Sequence, residues 1–493
     1  MKLKEIADLF FNKKTTGNMD IEITGLQMDS RKIEKGNLFI CVPGIEGFLA
    51  DRHLFAEEAV QNGAVALLVE KDVNVNVPKI FVKDARRAMG VIASHFYHYP
   101  SHEMNIMGIT GTNGKTTTSY LIEKILKDYG YRTGLMGNNG IKIGENMYPT
   151  DINTQEPPIL QKNLRLMKNQ ETDYCIMEVT SQGLHMGRTM GCDFKTAVFT
   201  NLTQDHLDYH GTFEDYKQTK GLLFSRLGNT FSSTNKKFAV INIDDPAAPY
   251  FQKITSAEII TYGIENEADV AAKNIKLSSK GIEFLAATFK GDIEINIKLV
   301  GGFNVYNALA AIASALIEGI PLEAIRQSLA HINHINGRME IVNEGQDFLL
   351  LVDYAHTPDA LKNVLTTLNE FSTGKIITVF GCGGNRDTNK RPIMGRIACK
   401  YSDYVFITSD NPRSEDPFII MKDIEKGMLE YDSSEYELEV NRENAIKKAI
   451  QMAAPHDIVL IAGKGHETYQ ILKDETVHFD DKKVARKALF EIK

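Results

Sequence analysis

The run Gly111-Thr112-Asn113-Gly114-Lys115-Thr116-Thr117 contains the residue types that hold a phosphate chain. Small residues let backbone N–H groups approach phosphate oxygens. We expect Lys115 to reach the β- and γ-phosphates and the Thr116 hydroxyl to bind Mg²⁺. The first glycine of the usual pattern is displaced, because Ile109 stands at its position. A generic turn is the alternative, and a strand before the run and a helix after it argue against a turn.

The phosphate-binding run lies within a segment where apolar strands alternate with helical patterns. This alternation predicts a mostly parallel sheet covered on both faces. A helix is predicted at about 116–129, and an alanine-rich helix at 307–318 closes the segment. Strand-like alternation from about 259 to 299 predicts an antiparallel extension. The other strands are predicted at 104–110, 174–177, 196–199 and 238–241.

Four further apolar strands are predicted after about residue 334. Each of them ends in a loop rich in Gly, Asp, His or Pro. In an open α/β sheet, ligands gather at the carboxyl ends of the strands. We therefore expect the four loops to share one edge and to line one site. The strands are predicted at 348–352, 376–380, 404–408 and 458–462.

The chain of 493 residues is too long for one core and is predicted to form three α/β domains. Residues 1–103 are predicted to form a small N-terminal domain, with strands at 37–42 and 65–69 and a linker at Pro100-Ser101-His102. Residues 104–333 are predicted to form a central domain that binds ATP at the phosphate loop. Residues 334–493 are predicted to form a C-terminal Rossmann-like domain.

Composition restricts the class of partner and the compartment. The net charge of -8 argues against nucleic acid or an anionic membrane as the main partner, and the apolar runs are too short to span a bilayer. We expect a monomer that works on small molecules. The first residues lack the apolar core expected of a signal peptide, and five scattered cysteines predict free thiols in a reducing cytoplasm. The cysteines are Cys41, Cys175, Cys192, Cys382 and Cys399.

An ordered set of motifs resembles the Mur ligase and folylpolyglutamate synthetase superfamily, and its Mur branch in particular. The form TGTNGKTT at 110–117 is the form of the phosphate loop found there. The resemblance extends in order from Asp29 to Glu467, over nearly the whole chain. The other matching motifs are MEVTS at 177–181, NLTQDHLDYH at 201–210, GGFNVYN at 301–307, NGRME at 336–340 and DYAHTP at 353–358.

The resemblance implies that ATP phosphorylates a carboxylate, and that an amine attacks the resulting acyl-phosphate. An anion must then approach a polyanion, and Lys115, Mg²⁺ and Arg338 would offset the repulsion. The resemblance also implies that Asn304 contacts the adenine and that Arg338 and Asp353 reach the nucleotide from the third domain. Domain closure would then exclude water from the intermediate. An interdomain ion pair is the alternative role for Arg338.

Glu178 and His206 each follow a predicted strand, where a second Mg²⁺ could bridge the γ-phosphate and the substrate carboxylate. One carboxylate and one imidazole are too few ligands for Mg²⁺, which prefers oxygen ligands. The resemblance supplies another ligand, because Lys220 matches the lysine that is carbamylated in this family. The residues alone would make Lys220 a solvated helix lysine. His210 could orient these ligands or be purely structural.

Residues 28–32 resemble the uridine-nucleotide loop of muramyl ligases, with Ser30 as a contact. Two stretches depart from the family pattern. Met186 stands where some relatives have Gln, and 44–52 fits poorly where a shorter loop is expected. Both departures concern the uracil and sugar contacts. The residues that match positions binding the muramyl-dipeptide part are Asn153, Thr154, Thr180 and Arg188.

The loops of the third domain predict the amine. Asp410-Asn411-Pro412-Arg413 has the form found in relatives that add diaminopimelate, and lysine-adding relatives usually lack the arginine. The guanidinium of Arg413 can bind the second carboxylate of diaminopimelate at two points, and Asp410 and Asn411 can hold its distal ammonium. Asn411-Pro412 as a plain turn is the alternative. The residues that match the rest of this pocket are Arg386, Gly463 and Glu467.

The resemblance therefore implies an ADP-forming ligase that adds meso-2,6-diaminopimelate to UDP-N-acetylmuramoyl-L-alanyl-D-glutamate. The alternatives are the same reaction with L-lysine or another diamino acid, and glutamate addition to folate. Folate ligases lack the first domain, so the match at 28–32 argues against folate. A nucleotide-dependent switch would carry Asn-Lys-x-Asp, whereas Asn389-Lys390-Arg391 continues with Pro392. A form without turnover is the remaining alternative.

Overall fold

A computed structural model describes residues 1–150, 152–229, 234–278, 280–332, 334–429 and 435–491. The described residues form three large sheets that follow one another along the chain, and a two-stranded sheet near the C-terminus. The predicted α/β class is confirmed. The predicted domain boundary at residue 333 lies outside the described residues. Within the described ranges, no helix has the length and apolarity needed to cross a membrane.

The N-terminal sheet has the strand order β1-β5-β4-β3-β2, and only β1 runs antiparallel to its neighbour. Strands β3 and β4 are fully buried, because they lie inside the sheet with both faces covered. The strands are β1 (Lys14–Thr16), β2 (Gly25–Gln27), β3 (Asn37–Ile40), β4 (Ala66–Val69) and β5 (Lys79–Phe81). The helices are α1 (Leu3–Asp8), α2 (Ala56–Gln61) and α3 (Ala85–Phe96).

The central sheet has the order β16-β15-β14-β13-β12-β11-β6-β10-β7-β8-β9. Its seven middle strands are parallel, and antiparallel strands extend it at both ends. The strands are β6 (Asn105–Thr110), β7 (Thr133–Gly137), β8 (Gly140–Ile143), β9 (Asn146–Tyr148), β10 (Tyr174–Glu178), β11 (Phe194–Phe199), β12 (Phe238–Asn242), β13 (Glu258–Gly263), β14 (Val270–Ser278), β15 (Gly281–Thr288) and β16 (Gly291–Ile297).

Helices cover both faces of the central sheet. The alanines of α10 are buried, and their small side chains let this helix pack closely against α4 and the sheet. Thr212 caps α8 by accepting a hydrogen bond from the backbone N–H of Asp215. The helices are α4 (Lys115–Asp128), α5 (Pro157–Asn169), α6 (Ser181–His185), α7 (Leu207–His210), α8 (Phe213–Ser225), α9 (Ala248–Ile254), α10 (Phe303–Ile317) and α11 (Leu322–Ala330).

The third sheet has the order β17-β18-β22-β19-β20-β21, and β18 to β22 are parallel. The strands are β17 (Glu340–Ile341), β18 (Leu349–Asp353), β19 (Ile376–Phe380), β20 (Tyr404–Thr408), β21 (Glu435–Glu439) and β22 (Ile458–Ala462), and the separate hairpin has β23 (Tyr469–Ile471) and β24 (Thr476–His478). The helices are α12 (Pro358–Phe371), α13 (Lys390–Tyr401), α14 (Pro417–Met428), α15 (Arg442–Met452) and α16 (Asp481–Glu491).

The loops that the sequence predicts to line the site lie at the carboxyl edges of the parallel strands, as expected. Strands β18, β22, β19 and β20 are neighbours in parallel register, so the loops after them do share one edge. In the central sheet β11, β6 and β10 are neighbours, and the phosphate loop, residues 200–206 and Glu178 follow their carboxyl ends. The antiparallel extension predicted at 259–299 is confirmed for β15 and β16, whereas β13 and β14 still pair in parallel with their preceding neighbours.

Candidate active site

The phosphate loop between β6 and α4 requires its glycines. Gly111 has φ +153°, and a Cβ there would lie 1.9 Å from the Thr200 hydroxyl oxygen. Gly114 has φ +85°, and a Cβ there would lie 2.4 Å from Asn307 Oδ1. The Thr200 hydroxyl donates to the carbonyl oxygen of Asn113 at 2.6 Å. Neighbouring strands and α10 therefore fix the loop from outside, and a side chain at either glycine would displace it.

Two lysines converge on one carbonyl oxygen of this loop. Lys115 Nζ donates to Gly111 O at 2.9 Å and to Thr112 O at 2.7 Å. Lys220 Nζ, from α8, donates to the same Gly111 O at 2.9 Å and lies 4.6 Å from the centre of the Tyr216 ring. Lys220 is only 1% exposed. Its burial and the charge of Lys115 hold its pKa well below the usual value. Lys220 is therefore not a solvated helix lysine.

Thr116, Glu178 and Arg338 form a connected group. The Thr116 hydroxyl donates to Glu178 Oε1 at 2.9 Å and accepts from Arg338 Nη2 at 3.1 Å. The backbone N–H of Asn138 also donates to Glu178 Oε1, at 2.9 Å. Glu178 Oε2 is buried and has no hydrogen-bond partner among the described residues. The carboxylate thus has one oxygen fixed and one available to a ligand.

His206 lies at the start of α7 with φ +54°, and its side chain is 43% exposed. Its Nε2 is 3.5 Å from Asp205 Oδ2. His210 Nε2 lies 2.9 Å from the Ser181 hydroxyl, and burial lowers its pKa to about 4. Within the described ranges, no three or more His, Cys, Asp or Glu side chains group together in a way that could hold a metal ion.

Asp353, at the end of β18, is buried and accepts backbone N–H groups from Met339 at 2.7 Å and Ala355 at 2.8 Å. Burial raises the pKa of this carboxyl group, and the charge of Arg338 opposes the shift. Arg338 also lies over the ring of Tyr354, 5.0 Å from its centre. The third domain therefore presents a packed arginine to the first turn of α4.

Four more contacts join the third domain to the central one. Asp359 Oδ2, in the first turn of α12, accepts from Asn113 Nδ2 at 2.6 Å and from the Thr203 hydroxyl at 2.7 Å. Asn139 Nδ2 donates to the carbonyl oxygen of Asn336 at 3.2 Å. The fourth contact is between Asn138 Nδ2 and His466 Nε2, at 3.5 Å. The two domains therefore meet around the phosphate loop.

Asn304 is 3% exposed and is held by internal hydrogen bonds. Its Nδ2 donates to Val300 O at 2.8 Å, and its Oδ1 accepts from Asn307 Nδ2 at 2.9 Å. Asn307 Oδ1 in turn accepts from the Thr118 hydroxyl of α4 at 3.2 Å. In this structure the side chain predicted to contact adenine connects α10 to the helix after the phosphate loop.

The predicted muramyl-dipeptide residues lie together beside Glu178. The Thr154 hydroxyl lies 3.1 Å from both Glu178 O and the Thr180 hydroxyl, and Arg188 Nη1 donates to Thr154 O at 3.3 Å. Asn153 is half-buried next to Thr154. Met186, which departs from the family pattern, is 7% exposed at the end of α6.

Ser30 lies apart from this group, in the N-terminal domain. It is buried, and its hydroxyl donates to Glu58 Oε2 at 2.7 Å. The stretch 44–52, which fits the family pattern poorly, reaches the central domain, because the ring of Phe48 lies 4.7 Å from that of Tyr209. The N-terminal and central domains are therefore in contact at this point.

Loops of the third domain bring cations and carboxylates close together. Arg413 Nη1 donates to Gly384 O at 2.9 Å, and the neighbouring charge of Arg386 together with burial lowers the pKa of Arg413. Arg386 itself is exposed. Asp410 Oδ2 is buried without a hydrogen-bond partner in the described part of the chain. A Cβ on Gly463, which has φ +115°, would lie 2.8 Å from that oxygen.

A network around Asn411 completes the predicted amine pocket, in which Pro412 is buried. Asn411 Nδ2 donates to Glu467 Oε2 at 3.0 Å. Lys464 is fully buried, and its Nζ donates to Asn411 Oδ1 and to Glu467 Oε2, each at 3.1 Å. A cation and a carboxylate of these loops, Lys464 and Glu467, are therefore in direct contact, and Asn411 joins them.

Comparisons with known proteins agree with this arrangement. Three family models match, described as the Mur ligase family catalytic domain at 22–97, the Mur ligase middle domain at 109–315, and the Mur ligase glutamate ligase domain at 337–465. A protein of Bacillus velezensis named UDP-N-acetylmuramoyl-L-alanyl-D-glutamate--2,6-diaminopimelate ligase is 49% identical, over 96% of this chain and 95% of its own. The chain belongs to the Mur ligase family.

Two further relatives of this Mur ligase bear the same name. One, from Geobacillus thermodenitrificans, is 49% identical over 96% of each chain. The other is a solved structure that is 34% identical and has a TM-score of 0.69, covering 100% of this chain and 99% of the other. The resemblance inferred from the motifs is therefore confirmed at the level of family and fold.

Sequence reasoning missed Asp359, which contacts the phosphate loop of this Mur ligase from 246 residues away. The signal that could have found it is its place in the first turn of a helix directly after the DYAHTP motif. Lys464 belongs to the run 463–467 that matched the amine pocket, but the sequence assigned it no role of its own, and in the structure it bonds to Asn411 and Glu467. A lysine between two glycines gave no sign that it would be buried.

Proposed function

We propose that this Mur ligase joins meso-2,6-diaminopimelate to UDP-N-acetylmuramoyl-L-alanyl-D-glutamate at the expense of ATP. The observation that carries the choice of amine is the presence of Arg413 and Asp410 in one loop, the loop after β20. The guanidinium suits a carboxylate, and the Asp410 oxygen that has no hydrogen-bond partner among the described residues suits an ammonium. L-lysine has the ammonium but lacks the second carboxylate, so it would leave Arg413 without its anion.

ATP would bind with its β- and γ-phosphates against the loop 111–117. Lys115 now donates to carbonyl oxygens of the loop, and we propose that it turns to the phosphates when they bind. Arg338 already reaches the Thr116 hydroxyl, so the phosphates would meet cations from two domains. Such fixed charges stabilise a transferring phosphoryl group, because they require no reorganisation during the reaction.

The residues around Thr116 and Glu178 fit a Mg²⁺ ion. A hydroxyl oxygen lies 2.9 Å from one carboxylate oxygen, and the other carboxylate oxygen is buried without a partner among the described residues. Hard divalent cations prefer such oxygen ligands. We propose that Thr116 and Glu178 hold Mg²⁺ and that Glu178, with His206 and a carbamylated Lys220, also serves a second ion. When bound, Mg²⁺ neutralises charge on the phosphate oxygens.

We propose that Lys220 is carbamylated. The lone pair of the neutral amine would form an N–C bond to CO₂, while one C=O π bond breaks and its electron pair moves to oxygen. The nitrogen would lose a proton to water, which leaves a carbamate anion. Only the neutral amine can react, and the lowered pKa of Lys220 favours that form. The product is an anion beside the cation of Lys115. A protonated Lys220 would instead place a second cation there, because both lysines reach the carbonyl oxygen of Gly111.

The acyl substrate would enter between the N-terminal and central domains, with Ser30 at the uridine end and Asn153, Thr154, Thr180 and Arg188 at the peptide end. Thr154 bonds to the backbone of Glu178, so a carboxylate held by this group would lie near the γ-phosphate. The contacts between the phosphate loop and the third domain would exclude water from the acyl-phosphate.

We further propose that Asn304 approaches the adenine and that the enzyme works in the cytoplasm. We propose a monomer, because one chain supplies every proposed group.

The test is phosphate release from ATP with each substrate omitted in turn. We expect release only when the UDP-dipeptide and meso-diaminopimelate are both present, and a kcat/KM for L-lysine at least about 100-fold lower, since a lost charged contact costs about 3 kcal/mol. The Arg413→Ala variant should lose most of this preference. An exposed arginine of the same domain, Arg486, serves as the control in Arg486→Ala. A wild-type enzyme that prefers L-lysine would refute the assignment of the amine.

A further inference from the structure

Arg86 is an arginine of the N-terminal domain for which the proposed function gives no role. It lies in the first turn of α3, which Asp84 caps. Both terminal nitrogens of its guanidinium are buried, and neither has a hydrogen-bond partner among the described residues. Burying a guanidinium is costly unless another group compensates its charge. An anion bound to the guanidinium of Arg86 would compensate this charge.

The fold places Arg86 next to Arg188 of the central domain. Helix α3 packs on the turn that follows Arg188, since a Cβ on Gly90 would lie 2.7 Å from Met190 Cβ. The Ser94 hydroxyl, from the same helix, donates to the carbonyl oxygen of Gly191 at 3.2 Å. The two domains are thus joined along α3. The charge of Arg188 lowers the pKa of Arg86, as burial does, and this also indicates that the two are close.

The carboxylate of Glu156 interacts with both arginines. Glu156 Oε1 accepts from Arg188 Nε at 2.8 Å, and Glu156 Oε2 is buried without a partner in the described part of the chain. The charge of Glu156 also acts on Arg86, raising its pKa against the effect of burial. Among the buried charges, two guanidiniums share this one carboxylate, because Asp84, whose charge also acts on Arg86, is exposed at the N-cap of α3. The buried group therefore keeps one positive charge for a ligand.

We propose that Arg86 and Arg188 form an oxyanion subsite between the N-terminal and central domains, and that it binds an anionic group of the nucleotide-sugar peptide. This inference rests on the proposed function. Arg188 also donates to Thr154, which bonds to the backbone of Glu178, so the subsite lies close to the reacting carboxylate. The anion is either the non-reacting carboxylate of the D-glutamyl residue or the diphosphate, and both present oxygens to a guanidinium.

Equilibrium binding of UDP-N-acetylmuramoyl-L-alanyl-D-glutamate, measured by calorimetry, tests the subsite without turnover. We expect Arg86→Gln to raise the Kd by about 10- to 100-fold, the value of one lost charged contact. Arg86→Lys should recover part of the affinity. Arg87→Gln is the matched control, because Arg87 is exposed on the same helical turn. It should leave the Kd unchanged, and the KM values for ATP and diaminopimelate should not change in any of these variants.

Two comparisons identify the anion and exclude a purely structural role. If the diphosphate binds here, Arg86→Gln weakens UDP alone as much as the full ligand; if the carboxylate binds, the Kd of UDP stays the same. Glu156→Gln keeps an oxygen for Arg188 and adds net positive charge, so it should not weaken binding. A simple ion pair between Arg86 and Glu156 predicts equal losses in both variants, and that result would overturn the subsite.

The outcomes also separate this inference from the proposed function. If Arg86→Gln binds the UDP-dipeptide as well as Arg87→Gln does, the subsite is wrong, while amine-dependent phosphate release by the wild type still supports the ligase. If the wild type releases no phosphate with the UDP-dipeptide and diaminopimelate, the proposed function is wrong, whatever the Kd values are. Thermal unfolding of each variant shows whether a changed Kd reflects loss of the fold.

Discussion

Lys220 Nζ lies 2.9 Å from the carbonyl oxygen of Gly111, so a lysine of α8 is in direct contact with the phosphate loop. Lys115 donates to the same oxygen, and two cations therefore meet at one acceptor. Burial makes this arrangement costly unless one of the charges is removed. Either the Lys220 amine is neutral or it has become an anion, and both states differ from the usual ammonium of a helix lysine.

We predict that Lys220→Ala lowers kcat by about 100- to 1,000-fold, the usual effect of removing one fixed charge from a phosphoryl-transfer site. A short carboxylate such as propionate should restore part of the activity, because the shorter side chain leaves room for it. Lys217→Ala is the control, since Lys217 lies one turn away and pairs with Glu214 at the surface. Carbamylation is wrong for this chain if propionate does not raise the activity of Lys220→Ala, or if Lys220→Ala stays fully active.

We predict that Glu178→Gln separates metal binding from folding. The glutamine oxygen can still accept from Thr116 and Asn138, while the other oxygen becomes an NH₂ group that cannot bind a cation. The Mg²⁺ concentration for half-maximal activity should rise, kcat/KM should fall by about 100-fold or more, and the Tm should stay the same.

The control for Glu178→Gln is Glu123→Gln. Glu123 is a buried carboxylate of the same domain that accepts from Thr133 and pairs with Lys142 at 2.8 Å. Its loss should lower the Tm without changing the Mg²⁺ requirement, because a buried pair is broken away from the site. Equal Mg²⁺ dependence in both variants would show that Glu178 does not hold the ion.

The strands around the site could be predicted because they are short apolar runs bounded by glycine and polar loops. The prediction at 458–462 coincides with β22, and that at 376–380 coincides with β19. Strand β21 was missed, since Glu435–Glu439 alternates charged and apolar residues at the sheet edge and is half-exposed. The sequence from Arg52 to Asn62 has a helical pattern, but it begins as a 3-10 turn, Arg52–Phe55, before α2 starts at Ala56.

The predicted site residues could be named from motifs, but their partners could not. Contacts such as that of Asp359 with Asn113 join segments far apart in sequence, and no local pattern encodes them. The burial of Lys220 and Lys464 could not be predicted either, because a lysine has the same side chain whether it is buried or at the surface. The state of a lysine depends on what packs around it, and the sequence alone does not show that packing.

We predict that Asp359→Ala loosens the contact between the third domain and the phosphate loop. The variant loses the acceptor of two hydrogen bonds, those from Asn113 and Thr203, which together are worth about 1.5 to 3 kcal/mol. The KM for ATP should rise by about 10-fold, and small-angle scattering should show a larger radius of gyration. Lys362→Ala, an exposed change on the same helix, should alter neither quantity. An unchanged KM in Asp359→Ala would mean that this contact does not help bind the nucleotide.

Acid should destabilise the protein through His466, which meets the central domain at Asn138. Burial, with the charge of Arg338, lowers its pKa from 6.5 to about 4. Between these two values the unfolded chain binds more protons than the folded one, so the free energy of unfolding falls as the pH drops from about 6.5 toward 4.

Because His466 is partly exposed, the loss due to it at pH 5 should be about 1 kcal/mol. Urea unfolding at pH 7.5 and pH 5 measures it. The difference between the two pH values should be smaller in His466→Gln by that amount, and unchanged in His478→Gln, whose histidine is exposed on β24. If His466→Gln loses as much stability on acidification as the wild type, another group carries the acid sensitivity. His210 would be the next to test, because its pKa is also lowered to about 4.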